Sequence, residues 1–397
     1  MKSRNYSETE KVIGLFNDSY PPIMDGVALT VQNYAHSLHK KNQRVCVVTP
    51  RAPKYTDQSD YPVYRYASIP VWGRKPYCLG IPYTDFSFLG KIKKVPFKLV
   101  HAHCPFSSAQ VALDLRKKQR IPVVATFHSK FKADFDRAFN NRQITNWMLK
   151  EVIRFFESVD EVWIPQAAVE ETIREYGYKG KLVVMENGTE YSIDGDIDTL
   201  KQQARTELHI SGNIPVFLFI GQHIWEKNTR LVIDTLALIK ETPFKMYFIG
   251  TGYAEKELKA LVKQYGLQSK VEFLGMILDR ERLKRYYTAA DLFLFPSLYD
   301  NAPLVVREAS TLHTPSMLVK GSTASEVVTD DYNGFLTENS SRAMAKRILE
   351  LIDRPEHIKQ VGLNASKTIA RSWDDVTEEV LDRYDYLIKK HADKYAS

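Results

Sequence analysis

Short apolar runs alternate with amphipathic helical patterns along this chain, and that alternation narrows the folds open to it more than any other feature. In the first half, the predicted strands are 12–16, 44–49, 99–101, 123–126, 161–164 and 182–185. Helical patterns such as 28–40 and 107–118 lie between several of them. Short buried strands that alternate with helices indicate a doubly wound α/β domain with a mostly parallel sheet.

The alternation starts again in the second half, which predicts a second α/β domain. The strands expected there are 216–220, 245–249, 271–274, 292–295 and 316–319, with helices near 228–240, 254–265, 279–289 and 305–312. The pattern weakens at Asn187-Gly188 and through 192–199, where the linker is expected. A single core rarely exceeds ~250–300 residues, so a length of 397 residues also favours two domains.

The predicted boundaries are 1–190 for an N-terminal Rossmann-like domain, 191–373 for a C-terminal one, and 374–397 for a final helix. Tandem domains of this kind are expected to face a central cleft, because ligands of open parallel sheets bind beyond the carboxyl ends of the strands. The predicted fold class is therefore α/β, with two doubly wound domains around one cleft.

Composition and cysteine spacing exclude several other classes of protein. Hydrophobic residues make up 44% and charged residues 26%, which argues against a disordered chain, a collagen or a coiled coil. Cys46, Cys78 and Cys104 are far apart, so a disulfide scaffold or a structural zinc site is not expected. Residues 1–10 are polar, 12–16 is too short for a signal peptide, and no stretch approaches ~20 apolar residues. A cytoplasmic location is expected, with peripheral membrane binding left open.

The net charge of +7 is distributed unevenly along the chain. Residues 1–190 carry 28 basic and 19 acidic residues, whereas 191–397 carry 27 basic and 29 acidic residues. Most of the excess lies in 40–150, with 21 basic and 6 acidic residues. This asymmetry suggests that the first half meets an anionic partner: a nucleic acid, a membrane surface or an acidic substrate.

Two acids, Asp300 and Glu308, stand eight positions apart after the predicted strand 292–295. The next helix is expected to begin near Pro303, and a helix N-terminus is a good anion site. Glu308 is flanked by apolar residues, so it is expected to be partly buried and to need partners. The alternative is a solvated loop acid followed by a glutamate on a helix surface.

Other polar residues also follow predicted strands. Lys227 lies at a predicted helix start, where a cation is unfavourable unless an anion sits between them. Gly26 precedes the first helix and would let a ligand approach the backbone, and His128 follows the fourth strand. The alternatives are an ordinary surface lysine, a simple loop and a structural histidine.

Two further patterns argue against cofactors. Gly250 and Gly252 lack the third glycine of a dinucleotide fingerprint, because residue 255 is glutamate, and no Walker loop is present. A tight turn is the simpler interpretation. His101 and His103 could begin a metal site, but no third ligand is evident, so neither a metal nor another cofactor is expected.

In their order and spacing, these stretches resemble the retaining nucleotide-sugar glycosyltransferases of family 4, which have the GT-B fold. The most specific match is Asp300 with Glu308, which fits the family's E-x7-E pattern with Asp in the first position. The resemblance covers nearly the whole chain. Its supporting matches are Gly221 with Glu226-Lys227-Asn228, the stretch 289–297, Asn187-Gly188, the stretch 333–336 and Ser372-Trp373.

The resemblance implies a role for each matching residue. Glu308 would bind the donor ribose, Lys227 would neutralise the diphosphate, and Gly26 would let its loop close over the phosphates. His128 would contact the sugar and assist transfer, and Asp300 would hold sugar hydroxyls. The final helix would cross back onto the N-terminal domain. The backbone expected to hold the sugar and the base is formed by Asn301, Ala302, Pro303 and Leu304, and by Leu274, Gly275 and Met276, respectively.

The chain departs from the family pattern in two places. Gln222 stands where the family usually has an arginine that shares the phosphate charge, so Lys227 would carry more of it or Arg230 would help. Gln222 is nevertheless expected to contact the donor. The first loop has one glycine, Gly26, where many members have two.

The resemblance predicts transfer of a hexose, with UDP-glucose or a similar UDP-sugar as donor, to an acceptor bound mainly by the basic N-terminal half. The stretch 63–70 with Tyr77 and Ile81-Pro82 resembles members that glucosylate diacylglycerol. A soluble or cell-wall glycan acceptor, or a non-catalytic nucleotide-sugar or glycan binder, is the alternative. No nucleic-acid module is recognisable.

The segment 130–156 interleaves basic and hydrophobic residues, which predicts an element that lies on an anionic membrane surface. The alternative is a helical segment with core aromatics and solvated charges. The hydrophobic members are Phe131, Phe135, Phe139, Trp147, Met148, Val152 and Phe155, and the basic ones are Lys132, Arg137, Arg142, Lys150 and Arg154.

Overall fold

Two parallel sheets organise the protein, one in each of two units. A computed structural model describes residues 11–71, 77–210 and 212–396. The chain up to Asn187, together with Trp373 onward, forms unit 1, and Gly188–Ser372 forms unit 2. The polar segment 1–10, on which the expected lack of a signal peptide partly rests, lies outside the described residues.

The sheet of unit 1 is built from short strands whose paired neighbours all run parallel. The strands are β1 (Val12–Phe16), β2 (Val45–Pro50), β3 (Val63–Tyr66), β4 (Ser68–Pro70), β5 (Cys78–Gly80), β6 (Phe97–Ala102), β7 (Val123–Thr126), β8 (Glu161–Ile164) and β9 (Leu182–Val184). The order in the sheet is β3-β2-β1-β6-β7-β8-β9, and β4 and β5 form a separate antiparallel pair. All residues of β1, β2 and β7 are buried, as expected for strands covered on both faces.

Helices follow most of these strands. Asp25 caps the first of them by accepting a hydrogen bond from the Ala28 N–H at 2.8 Å, and Asn141 caps the fifth. The helices are α1 (Gly26–Lys40), α2 (Phe86–Ile92), α3 (Ser107–Gln119), α4 (Phe131–Phe139), α5 (Arg142–Glu157) and α6 (Val169–Glu175).

Unit 2 repeats this architecture with a second parallel sheet. Its strands are β10 (Val216–Ile220), β11 (Lys245–Ile249), β12 (Val271–Phe273), β13 (Leu292–Leu294), β14 (Ser316–Val319) and β15 (Phe335–Thr337), in the order β12-β11-β10-β13-β14-β15. Asp291, just before β13, accepts hydrogen bonds from Lys201, Arg205 and the backbone of Val216, and so ties the first helix of the unit to its central strands. The helices are α7 (Ile197–Glu207), α8 (Thr229–Leu238), α9 (Glu255–Gln264), α10 (Arg280–Ala289), α11 (Leu304–Thr311), α12 (Ser341–Ile352) and α13 (Pro355–Thr368).

The last helix, α14 (Trp373–Ala396), packs within unit 1. Tyr384 stacks on Trp163 with ring centroids 5.5 Å apart, and its hydroxyl lies 2.6 Å from His101 Nδ1. Lys40 pairs with Asp374 at 2.7 Å. Aromatic packing, together with polar contacts, therefore joins the end of the chain to β6, β8 and α1.

The predicted α/β class with two Rossmann-like domains is confirmed. Most predicted strands match within two residues at either end, whereas β3, β4, β5 and β15 were not predicted. In β3, β4 and β5, at a sheet edge or outside the main sheets, partly exposed residues replace the continuous apolar run. The edge strand β15 is largely buried but only three residues long. Within the described part of the chain, no helix combines the length and apolarity needed to cross a bilayer.

Two helical glycines, one in each unit, allow a test of the packing around α13 in unit 2. A Cβ on Gly362 in α13 would lie 2.1 Å from the carbonyl oxygen of His313, whereas a Cβ on Gly90 in α2 would meet nothing within 4 Å. We expect Gly362→Ala to lower the free energy of unfolding by ~1–3 kcal/mol through overpacking. Gly90→Ala should raise it by up to ~1 kcal/mol through helix propensity. Urea unfolding of both variants measures this, and equal effects would contradict the packing described.

Candidate active site

Three loops at the carboxyl ends of β10, β11 and β12 are pressed together in unit 2 through glycine backbones. A Cβ on Gly250 would lie 2.0 Å from the carbonyl oxygen of Gly221, and one on Gly252 would lie 2.2 Å from that of His223. Gly250 also has a φ of +128°, and its N–H donates to the carbonyl of Gly275 at 2.8 Å. The Gly250-Thr251-Gly252 turn is therefore needed for this close approach of neighbouring loops.

Lys227 and Asp300 meet directly at this edge of the sheet. The Lys227 Nζ lies 2.7 Å from Asp300 Oδ1 and 2.8 Å from Oδ2. It also lies 5.2 Å from the centroid of the Phe295 ring, and Ser297 Oγ donates to Asp300 Oδ2 at 2.6 Å. Lys227 and Asp300 are only 13% and 18% exposed, so the pair is shielded from solvent. Two residues predicted separately thus form one ion pair.

Glu308, on α11, is buried, and each of its carboxylate oxygens accepts one hydrogen bond. Its Oε1 accepts from Arg280 Nη2 at 2.5 Å, and its Oε2 accepts from the Tyr287 hydroxyl at 2.7 Å. The Arg280 guanidinium also lies over the ring of Tyr191, 4.7 Å from its centroid. Burial opposes the charged form of Arg280, but the nearby Glu308 raises its pKa overall. Arg280, Tyr287 and Tyr191 were not singled out by sequence reasoning.

The remaining donor residues predicted in unit 2 lie on the neighbouring loops. Gly275 has a φ of +68°, and Met276 beside it is exposed. Leu274 donates its N–H to the carbonyl of Phe248 at 2.9 Å. Pro303 is the N-cap of α11 and makes no side-chain cap hydrogen bond. Of its neighbours, Asn301 and Leu304 are buried and Ala302 is half-buried.

Arg230 and Gln222 occupy different environments. Arg230 Nε lies 3.4 Å from Asp234 on its own helix, so its charge is already partnered there. Gln222 is exposed on the loop after β10. This geometry leaves Lys227 as the cation that contacts Asp300.

In unit 1, Gly26 is the first residue of α1, and a Cβ there would meet nothing within 4 Å. The N-terminus of this helix is already capped by Asp25, whose carboxylate also accepts from Ser19 at 3.3 Å. Burial raises the pKa of Asp25. The described residues leave open space beside Gly26.

His128 belongs to a cluster of three histidines at the carboxyl ends of β6 and β7. His103 Nδ1 lies 3.0 Å from His128 Nε2 with the rings stacked, and the rings of His101 and His103 lie 4.0 Å apart. Burial lowers the pKa of His128 to about 3 and those of His101 and His103 well below their usual value. Within the described ranges, no group of three or more His, Cys, Asp and Glu residues could hold a metal ion.

The His103–His128 contact joins two neutral rings. His103 Nδ1 and His128 Nε2 lie 3.0 Å apart, so one ring donates to the other, and which one donates depends on the tautomer of each ring. The pair therefore orients His128 at the carboxyl end of β7.

Asp18, which no sequence pattern indicated, organises the loops of unit 1. Its Oδ1 accepts from the Tyr66 hydroxyl at 2.5 Å, from Ser107 Oγ at 2.6 Å and from the Ser108 N–H at 3.0 Å. Its Oδ2 accepts from Cys104 Sγ at 2.7 Å. Its donors lie 48 to 90 positions away, so no local spacing could have shown the cluster. Asp18 thereby caps α3 and links it to β1 and β3.

Comparison with known proteins agrees with this architecture. A family model described as "Glycosyltransferase Family 4" matches residues 24–192, and one described as "Glycosyl transferases group 1" matches residues 201–368. The chain belongs to the family 4 glycosyltransferases. It therefore has the GT-B fold and is a transferase, as the motif order indicated. The Asp300–Glu308 stretch and Lys227 lie in the second matched segment, and Gly26 and His128 lie in the first.

Curated relatives of this glycosyltransferase include two alpha-monoglucosyldiacylglycerol synthases. An alpha-monoglucosyldiacylglycerol synthase of Streptococcus pneumoniae is 25% identical over 356 residues, covering 87% of this chain and 80% of the relative. One from Acholeplasma laidlawii is 21% identical over 402 residues, covering 95% and 99%, respectively.

Solved structures share the fold of this glycosyltransferase. Sucrose-phosphate synthase from Thermosynechococcus elongatus aligns with a TM-score of 0.79 at 20% identity, covering 96% of this chain and 100% of that one. Anabaena HepE in complex with UDP and glucose aligns with a TM-score of 0.74 at 19% identity, covering 94% and 99%.

The buried histidines of this glycosyltransferase predict acid sensitivity. Below pH ~6.5 the unfolded chain binds protons at His101 and His103, whereas the folded chain does not. The free energy of unfolding therefore decreases as the pH is lowered. The slope is up to ~1.4 kcal/mol per pH unit for each histidine. In urea unfolding between pH 7 and pH 5, His103→Phe should show a shallower pH dependence than wild type. The exposed His36→Gln should keep the wild-type slope, and equal slopes for all three would contradict neutral burial.

Proposed function

We propose that this glycosyltransferase moves a hexose from a UDP-sugar, with UDP-glucose as the leading candidate, to a hydroxyl of a membrane lipid such as diacylglycerol. The observation that carries the donor proposal is the Lys227–Asp300 contact, in which a cation lies beside the acid proposed to bind the sugar. The acceptor proposal is supported by the two diacylglycerol glucosyltransferase relatives. A UDP donor is supported by HepE, which was solved with UDP and glucose.

The proposed chemistry follows from charge. As the sugar C1–O bond breaks, the ring gains oxocarbenium character and negative charge grows on the departing diphosphate. Lys227 and the N-terminus of α11 would stabilise that charge, because preorganised cations and N–H groups act most strongly where charge develops. No metal ion is assigned to this step. Asp300 would orient the sugar hydroxyls, and His128 would contact the sugar and assist transfer, as family membership suggests. Retention of configuration is proposed from family membership.

The donor proposal is tested by a panel of UDP- and GDP-sugars, with nucleotide release measured against diacylglycerol and soluble glycans. Glu308→Ala should lower kcat/KM by at least ~30-fold, equivalent to ~2 kcal/mol for lost charged hydrogen bonds. Lys227→Met should lower kcat most, since its charge acts in the transition state. Glu257→Ala, an exposed acid on α9, is the control.

Several outcomes would contradict parts of this proposal. Near wild-type turnover by Glu308→Ala would remove its proposed role, and release from GDP-sugars alone would exclude a UDP donor. Transfer to a glycan but not to diacylglycerol would favour the alternative acceptor. A product of inverted configuration would exclude retention.

We further propose that the protein docks on an anionic membrane surface through unit 1. Ile69 and Leu79 are cross-strand partners in the β4–β5 pair and are 52% and 60% exposed, and Phe86 on α2 is 83% exposed. The exposed Lys91, Lys93 and Lys94 follow Phe86 on the same helix and just after it. Apolar and basic side chains on one short stretch suit an anionic bilayer surface. A peripheral location on the cytoplasmic face would follow.

The segment 130–156 contributes less to this surface than the sequence suggested. Phe131, Phe135 and Phe155 are buried in the core of unit 1, as the alternative interpretation held. Phe139 and Trp147 are exposed, at 44% and 58%.

Membrane docking is tested by sedimentation with liposomes. Binding to anionic liposomes should exceed binding to neutral ones at ~0.1 M salt and should fall at ~1 M salt, as the Debye length shortens from about 10 Å to about 3 Å. Phe86→Ser should weaken it, whereas Leu238→Ser, at a 55% exposed position of unit 2, should not. Equal partition into neutral and anionic liposomes would contradict the proposal.

A further inference from the structure

Glu308 is held by two donors that lie on one helix, two turns apart. Arg280 opens α10 and contacts Oε1, and Tyr287 contacts Oε2 from the same helix. The Glu308 side chain is only 7% exposed. A buried carboxylate needs such partners to remain charged, so α10 supplies both the neutralising cation and the second hydrogen bond.

With these two donors in place, the Glu308 carboxylate can still accept further hydrogen bonds. A carboxylate has about four lone-pair sites, two on each oxygen. Arg280 occupies one site on Oε1 and Tyr287 one on Oε2, so each oxygen can accept one more hydrogen bond. Two adjacent acceptors at the spacing of one carboxylate match the two hydroxyls of a vicinal diol.

Arg280 is itself held from a second direction. Its Nε lies 2.5 Å from Glu190, and its guanidinium lies over the Tyr191 ring. The Tyr191 hydroxyl donates to the Arg280 carbonyl at 3.2 Å. Glu190 and Tyr191 stand near the start of unit 2. The guanidinium therefore has little freedom to turn away from Glu308, as positioning of its carboxylate requires.

We propose that Arg280 and Tyr287 are positioning residues that orient Glu308 so that its two oxygens accept the 2′- and 3′-hydroxyls of the donor ribose. The inference rests on the proposed donor role of Glu308. Through these two residues, α10 would enable the protein to distinguish a ribonucleotide from a nucleotide that lacks these hydroxyls.

The test compares the affinity of the full-length protein for UDP and for 2′,3′-dideoxy-UDP by calorimetry. Wild type should prefer UDP on the order of 10–100-fold, as expected for hydrogen bonds to a charged acceptor. Tyr287→Phe and Arg280→Gln should each reduce this preference at least ~5-fold while changing the affinity for dideoxy-UDP little. Arg280→Lys, which keeps the charge but not the fork of donors, should fall between wild type and Arg280→Gln.

Arg285→Gln is the matched control. Arg285 lies on the same helix but pairs with Glu207, and both side chains are about half exposed, at 51% and 52%. It should keep the wild-type preference for UDP. If Arg280→Gln does not fold, Tyr287→Phe and Arg280→Lys still decide the matter, because each retains most of the original side chain.

The outcomes separate the inference from the proposed function. If wild type binds UDP and dideoxy-UDP with equal affinity, Glu308 does not recognise the ribose hydroxyls. Both the ribose assignment and this inference then fail. If wild type prefers UDP and folded Tyr287→Phe and Arg280→Lys keep the full preference, the inference alone is overturned. A structural role for α10 would lower stability in these variants without changing the preference.

Discussion

Carboxylates at buried or half-buried positions, which must find donors, organise both units of this protein. Asp18 collects four donors from three parts of unit 1, and Asp291 collects two cations and a backbone N–H in unit 2. Asp300 and Glu308 are held in the same way by Lys227 and Arg280. An unpaired buried charge would cost several kcal/mol, so the loops that carry these acids are fixed relative to the elements that carry their donors. Asp18 and Asp300 follow strands and so lie at the carboxyl edge of each sheet, whereas Asp291 precedes β13 and ties the opposite end of its sheet.

The sequence was sufficient for the sheets because their central strands are continuous apolar runs. The observed bounds of β1, β7, β8, β10, β11 and β14 are the predicted ones, since each run ends where polar or small residues begin. The edge strand β3 and the β4–β5 pair lack that signal, because their residues are half-exposed. Burial on both faces is therefore what made strands predictable.

The candidate site was predictable only where its residues are close together in sequence. Asp300 and Glu308 share one loop and helix, and the resemblance to family 4 gave them roles. Their partners could not be found in this way. Arg280 lies 28 positions before Glu308 with no spacing that joins them, and the tie between Lys227 and Asp300 spans 73 positions. Donors come from wherever the fold places a helix beside the acid, so they follow from topology rather than from pattern.

The Lys227–Asp300 pair also bears on the neutral residue at position 222. Lys227 is paired with Asp300, and Arg230 is paired with Asp234. An arginine at position 222 would add a second cation to the loop that carries Lys227, whereas Gln222 adds no charge. In the proposed donor complex, the diphosphate would compete with Asp300 for Lys227 because both are anionic. Asp300 would then become available to the sugar hydroxyls as the diphosphate binds, which would couple recognition of the sugar to recognition of the diphosphate.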